Sequence, residues 1–200
     1  MKLLLSLLIG YLLGSLSFGV IISRLVLHKD IRTQGSGNAG STNVLRVMGK
    51  KMALLTFIGD LMKGVVAVFI GRALTGGQTG EILGAFGAIL GHNFPLYFGF
   101  KGGKGVATSF GCMLIVFPGQ ALASFAVFLV LVATTHYVSA GSLGAAVTLP
   151  IFVMLTEPYD PIIWFTALAV GLLAIWRHMP NIVRLMNHTE RKLSFGKKEH

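Results

Sequence analysis

Three polar segments of the chain carry residue types suited to holding an anion. The first reads Gly35-Ser36-Gly37-Asn38-Ala39-Gly40-Ser41-Thr42-Asn43-Val44-Leu45-Arg46. Its glycines let backbone N–H groups approach a ligand closely. Ser41, Thr42 or Asn43 can cap a following helix, and Arg46 then falls on the same face as that cap. Hydroxyls, amides and a guanidinium at a helix N-terminus make a competent anion site. A flexible Gly/Ser/Asn loop with one arginine accounts for the same residues equally well. The second segment, Phe98-Gly99-Phe100-Lys101-Gly102-Gly103-Lys104-Gly105-Val106-Ala107-Thr108, leads a basic glycine-rich turn into a helix, the physical recipe for a phosphate cradle. It is not a Walker A loop, because Gly105 follows Lys104 and Phe98 stands at the first glycine position. The third group is dispersed: His136, Ser139 and Ser142, then Arg177, His178, Asn181 and Arg184. On one continuous helix, Arg177, Asn181 and Arg184 would share a face, while Pro180 is placed to end or kink it. Taken singly, the two arginines read as side chains snorkelling to a membrane surface.

Asp60 and Lys63 lie inside a long apolar run, three apart on one helix face, where ionised groups imply a pair or a site. His92 precedes Asn93 and Pro95 at the end of another run and reads as an interior histidine or a base. No His/Cys/carboxylate cluster has metal-ligand spacing, and there is no G-x-S-x-G. Neither a metal nor a cofactor is expected.

The elements that must position these residues are membrane helices. The chain has 200 residues, 54% of them hydrophobic and only 12% charged, with a mean hydropathy of +0.75 and a net charge of +10. That excludes a disordered chain and, with Cys112 its lone cysteine, a disulfide scaffold. The apolar runs predict an all-α integral membrane protein with seven transmembrane helices near 3–22, 52–74, 82–98, 103–117, 121–138, 143–155 and 162–176, followed by a basic tail over 177–200. The whole of 1–200 reads as one membrane domain, and the first run as a retained span rather than a cleaved leader. The run from Val106 to Phe117 is short, so its helix is expected to start near Gly103. With the N-terminus outside and the C-terminus cytoplasmic, 14 of the 17 Lys and Arg fall on the inner side, Lys197 and Lys198 included. Positive-inside topology thus explains the charge without a nucleic-acid partner. It also brings all three polar groups to the cytoplasmic face.

Taken together and in order, these segments resemble a known family. The Gly35–Asn43 loop with Arg46, then Asp60-Leu61-Met62-Lys63-Gly64, Gly91-His92 to Pro95, Phe100 to Thr108, and His178 through Asn181-Ile182-Val183-Arg184-Leu185 look like the bacterial acyl-phosphate:glycerol-3-phosphate acyltransferases of the PlsY type. Near the end, Asn187-His188 precede Thr189-Glu190 where that family usually has a glycine. The resemblance implies a multi-pass enzyme of the bacterial cytoplasmic membrane with its active site facing the cytoplasm. It implies transfer of a fatty acyl group from acyl phosphate to the 1-hydroxyl of glycerol 3-phosphate, giving lysophosphatidic acid and phosphate, with membrane lipid around it and no obligate protein partner. On this reading Ser36, Asn38, Arg46, Lys104, His178 and Asn181 bind glycerol 3-phosphate. Thr42, Asn43, Gly102, Gly103, Lys104, Gly105 and Ser142 bind acyl phosphate. Asp60, Lys63 and His92 support them. Arg46, Lys104 and His178 are the expected catalytic groups, although the donor's own phosphate is an alternative base to either histidine. A small transporter of a phosphorylated solute is the competing function.

Overall fold

The computed structural model describes residues 1–193; Lys197 and Lys198 of the expected tail lie outside the described residues. Among the described residues there are helices and no strand. The helices are α1 (Lys2–Gly14), α2 (Phe18–Leu27), α3 (Ser41–Met48), α4 (Lys50–Thr75), α5 (Gln78–Asn93), α6 (Val106–Val116), α7 (Pro118–Thr135), α8 (Val138–Thr156), α9 (Pro161–Arg177) and α10 (Met179–Met186). Short 3-10 turns cover Ile31–Thr33 and Leu96–Phe98. Among the described residues, four stretches are long and apolar enough to cross a membrane: Lys2–Leu27, Lys50–Thr75, Pro118–Thr135 and Val138–Thr156. The pair α9 and α10, bent by 55°, makes a fifth if taken as one span. Large apolar side chains such as Leu25, Val130, Leu155 and Phe165 face outward, as they would where lipid is the solvent.

Small residues let the helices approach closely. A Cβ on Gly14 would stand 2.1 Å from the Ala88 carbonyl oxygen, and one on Gly87 2.2 Å from that of Leu7, so α1 and α5 touch backbone to backbone. The Ser6 hydroxyl donates to Gly80 O at 2.7 Å and Tyr11 to Phe94 O at 2.9 Å across the same seam. The main core gathers Val68, Ala85, Ile89, Cys112, Met113, Val153 and Val170 from α4, α5, α6, α8 and α9. A smaller core of Val20, Ile31, Ala39, Val44 and Ala53 sits under the first polar loop and anchors it to α2 and α4.

Several element boundaries differ from the sequence expectation. α7 covers Pro118–Thr135 against 121–138, and α8 starts at Val138 against 143, which puts Ser139 and Ser142 in its first turns. Three others bear on the site. The first run breaks between α1 and α2, at Ser15–Ser17, where the Ser15 hydroxyl turns back to Tyr11 O at 2.8 Å. The third ends at Asn93 rather than 98, because Pro95 and the 3-10 turn redirect the chain. The fourth starts at Val106, not near Gly103: Gly105 is left-handed (φ +80°), and the Gly103 N–H donates to His92 O at 3.1 Å instead of into a helix. With 11 residues α6 is about 17 Å long, short of a full bilayer core.

Candidate active site

The three polar segments meet at one cavity of about 610 Å³. Its rim is built from helix N-termini. Ser41, Thr42 and Asn43 open α3, Val106 and Ala107 open α6, Val138 and Ser139 open α8, and Asn181 lies in the first turn of α10; all line the space. Helix N-termini carry the positive end of the helix dipole, and their first-turn N–H groups have no partner further back in the helix. Arg46, Lys104, Arg177 and Arg184 add cations, and among the described residues Glu190 is the one carboxylate with them apart from the deep-lying Asp60. The arrangement favours anions, and phosphate above all.

The first loop is held by Asn43. Its Oδ1 accepts the Ser36 N–H at 2.8 Å, and its Nδ2 donates to Asn38 O at 2.9 Å and Gln34 O at 3.0 Å. None of the expected cap residues caps α3; Gly40 occupies that position, and Asn43 sits inside the helix reaching back. Its amide shapes the loop that presents Ser36 and Asn38 to the cavity, which Asn43 itself also lines. Arg32 ties the loop to the glycine turn: its guanidinium donates to Phe98 O at 2.7 Å and Lys101 O at 2.9 Å while gripping Asp30.

The glycine turn owes its composition to packing as much as to any ligand. A Cβ on Gly102 would lie 2.0 Å from His92 O, and one on Gly103 2.1 Å from His92 Nε2. Gly103 does not line the cavity, and its N–H donates to His92 O. Gly102, Lys104 and Gly105 do line it. From the opposite side Arg177 clamps the turn, with Nε and Nη2 donating to Gly103 O at 3.1 and 2.9 Å and Nη2 to Gly102 O at 3.1 Å. The sequence suggests for Arg177 either a shared face with Asn181 and Arg184 or snorkelling, and neither reading predicts this clamp.

Lys104 donates to the Asn181 side chain. Burial pushes its ammonium down to about 8; Glu190 opposes the shift, and Arg184, Arg46 and Arg177 reinforce it. Arg46 is lowered from its ordinary value by burial and by Arg191 and Arg184, with Glu190 opposing, and donates weakly to Arg191 O at 3.4 Å. His178 marks the bend between α9 and α10 and is 2% exposed. Its Nδ1 lies 2.7 Å from Ala174 O, an acceptor, so Nδ1 carries the proton and Nε2 the lone pair. Burial, then Lys104, lowers it to about 4, so the ring is neutral at physiological pH. The bend breaks the single face expected for Arg177, Asn181 and Arg184, yet all three reach the cavity.

Glu190 organises this end. It accepts from Ser139 Oγ at 3.0 Å, Asn181 Nδ2 at 2.7 Å and Arg184 Nε at 2.6 Å. Burial raises its carboxyl, and these bonds more than offset that, leaving it below its usual range. The only sequence signal for Glu190 was its place in the terminal pattern of the resembled family. His188, where that family usually has glycine, takes φ +55°, the left-handed conformation a glycine would adopt freely.

Ser142 Oγ is turned onto Val138 O at 2.9 Å, but the residue borders both the polar cavity and a smaller apolar one of about 130 Å³. Phe57, Val106, Ala107 and Phe128 are also shared. The apolar space runs on between α6, α7, α8 and α9, past Phe110, Met113 and Leu149. Asp60 and His92 border the polar cavity from within the bundle, whereas Lys63 stands behind them.

An apolar helical bundle with an anion pocket opening onto an apolar slot defines a membrane protein that handles an amphiphile with a phosphorylated head. Comparison with known proteins makes the class specific. The sequence profile of the glycerol-3-phosphate acyltransferase family matches residues 4–188. The glycerol-3-phosphate acyltransferase of Syntrophotalea carbinolica is 47% identical over 189 residues, covering 93% of this chain and 95% of that protein. That of Clostridioides difficile is 46% identical over 190 residues, covering 92% of each. The crystal structure of PlsY (YgiH), an integral membrane glycerol 3-phosphate acyltransferase, in its glycerol 3-phosphate form, superposes with a TM-score of 0.90 at 38% identity, covering 97% of this chain and 96% of that one. The chain belongs to the glycerol-3-phosphate acyltransferase family and is a multi-pass integral membrane enzyme.

The packing of the turn makes a direct prediction. Gly103→Ala must displace His92 or the turn, and is expected to lower acyltransferase kcat/KM by more than about tenfold. Gly119→Ala, whose added Cβ meets nothing within 4 Å, is the control and should stay within about twofold. Initial rates of the two purified variants check this.

Proposed function

We propose that the cavity holds glycerol 3-phosphate and an acyl phosphate together and passes the acyl group directly between them, giving lysophosphatidic acid and inorganic phosphate. One observation carries the reading: helix N-termini and cations surround a polar cavity that continues into an apolar slot. A phosphate and a fatty chain need these two environments side by side. Arg46 and Lys104, with Ser36, Asn38, His178 and Asn181, hold the phosphate of glycerol 3-phosphate. Thr42, Ser142, Gly102, Gly105 and Lys104 face the acyl phosphate, whose chain lies in the slot. Asn43 lines the same space and holds the first loop in shape, while Gly103 acts behind that surface.

Holding both substrates makes the attack effectively unimolecular. The 1-hydroxyl oxygen bonds to the acyl carbon, the bond from that carbon to the phosphate oxygen breaks, and phosphate leaves. The hydroxyl proton passes to a non-bridging oxygen of the departing phosphate. His178 at about 4 is a weak base, which suits a hydrogen-bonding role better than proton abstraction. Cations and helix N-termini stabilise charge growing on the carbonyl and leaving oxygens.

The proposed orientation has seven spans, the N-terminus outside, the C-terminus inside and the site on the cytoplasmic face of the bacterial inner membrane. What supports it is parity: the ends of α5 and α9 and the starts of α6 and α8 lie at the cavity, as alternating spans require, and cations concentrate there.

Purified protein in detergent, given acyl phosphate and glycerol 3-phosphate, should release phosphate and lysophosphatidic acid in equal amounts without a gradient or partner protein. No turnover would overturn the reading. His178→Ala should chiefly raise KM; loss of most of kcat with intact binding would make His178 the base.

The Lys104 ammonium adds a pH signature. Its value is lowered, so the charged form is present below about 8 and is lost as pH rises through about 8. Activity as kcat/KM, which reports the free enzyme, should fall above that pH, and Lys104→Arg should move the limb upward even though its geometry raises KM.

A further inference from the structure

Inside the bundle, beneath the glycine turn, lies a charged group that the transfer step does not use. The side chains of Asp60 and Lys63 are each 2% exposed and pair at 2.8 Å. The Lys63 ammonium donates to Leu16 O at 2.7 Å, contacts His92 Nδ1 at 3.0 Å, and pairs its charge with Asp60 Oδ1, which itself lies 3.5 Å from His92 Nδ1. Leu16 O is available because the chain breaks between α1 and α2 at that point. An ammonium has no lone pair, so His92 Nδ1 must accept and the ring proton sits on Nε2. This is the opposite tautomer to that of His178. Thr108, one turn into α6, joins the same cluster, donating to Asp60 O at 2.9 Å and lying 3.3 Å from His92 Nδ1.

The other face of the His92 ring is the seat of the turn. Gly103 packs its bare Cα against Nε2, its N–H binds His92 O, and Gly102 packs on that carbonyl. Lys104 is the next residue and points into the cavity. A chain of fixed contacts therefore runs from Lys63 through His92 to the residue that meets substrate phosphate.

We infer that Lys63, paired with Asp60, is a positioning residue for acyl transfer: it fixes the tautomer and rotation of His92, and through His92 the placement of the Gly102–Lys104 turn. This rests on the acyltransferase reading of the cavity. A purely structural ion pair would behave differently. If the two charges served only to neutralise each other, replacing both with neutral groups of similar shape would restore function along with the fold. If Lys63 positions His92, the neutral pair folds and still leaves His92 Nδ1 without its donor.

Two measurements decide this. In the first, Asp60→Leu combined with Lys63→Met, which brings no new donor near His92 Nδ1, is compared with wild type for melting temperature and steady-state kinetics in detergent. The double variant should melt within about 5 °C of wild type, with kcat/KM for glycerol 3-phosphate down by about tenfold or more and most of the change in KM. Wild-type kinetics in the double variant would overturn the inference. The second uses the unmodified chain, so it stands even if the variant does not fold. The ¹⁵N spectrum of histidine-labelled protein, assigned with His92→Gln, should show His92 protonated at Nε2; a proton on Nδ1 would overturn the inference. Absence of turnover in wild type would instead count against the acyltransferase reading, with the tautomer still deciding the role of Lys63.

Discussion

The contact between the glycine turn and His92 is the constraint on which the site depends. Residues 102 and 103 press against the imidazole and its carbonyl at separations that leave no room for a side chain. Interiors are close-packed, so such a contact is bistable rather than elastic: either the turn sits on the ring or the local structure rearranges. Arg177 closes the turn from the far side, and Arg32 ties it to the first loop through Phe98 and Lys101. Lys104 then has one place to go, across to Asn181 and the first turn of α10. The sharp break that shortens α6 is part of the same arrangement, since Gly105 can leave the turn left-handed and begin the helix pointing at the cavity.

The electrostatics follow from that geometry. Several helix N-termini and four basic side chains converge on a space where burial strengthens every charge interaction. Cations crowded without substrate repel one another, which is part of why Lys104 is depressed. Glu190 relieves the crowding and fixes Asn181, Arg184 and Ser139 in doing so. A phosphate arriving in the cavity meets donors that are already oriented, so little reorganisation is left for the reacting step. The apolar slot beside it supplies the second half of the requirement, a place for a chain that water would not hold.

Much of this was legible in the sequence because it is local chemistry. Short segments of glycine, hydroxyl, amide and cation, with charge sorted to one side, are enough to bring Ser36, Arg46, Lys104, His178 and Asn181 to one face, and the cavity contains all five. What the sequence did not disclose is long-range. Nothing about spacing says that Arg177 reaches across to the carbonyls of residues 102 and 103, that Asn43 spends its amide on its own loop, or that Gly103 faces His92 rather than a ligand. The apolar run itself begins at Val106, where α6 starts; it was the length a span requires that pushed the expected start back to Gly103, and the hydrogen bond of Gly103 and the left-handed Gly105 rule that out. His188 shows the limit in the other direction. Its left-handed backbone carries a histidine side chain, a conformation that costs a non-glycine residue about 1–2 kcal/mol.

The central claim is direct transfer between two phosphorylated substrates bound at once, with no acyl group passing through the protein. Cys112, the lone thiol, is buried in the core and does not line the cavity. Isotope exchange tests the claim most directly. Enzyme is incubated with acyl phosphate and ³²P-labelled inorganic phosphate in the absence of glycerol 3-phosphate. Direct transfer predicts that no label enters acyl phosphate under these conditions. Steady incorporation of label would reveal an acyl-enzyme and contradict the account.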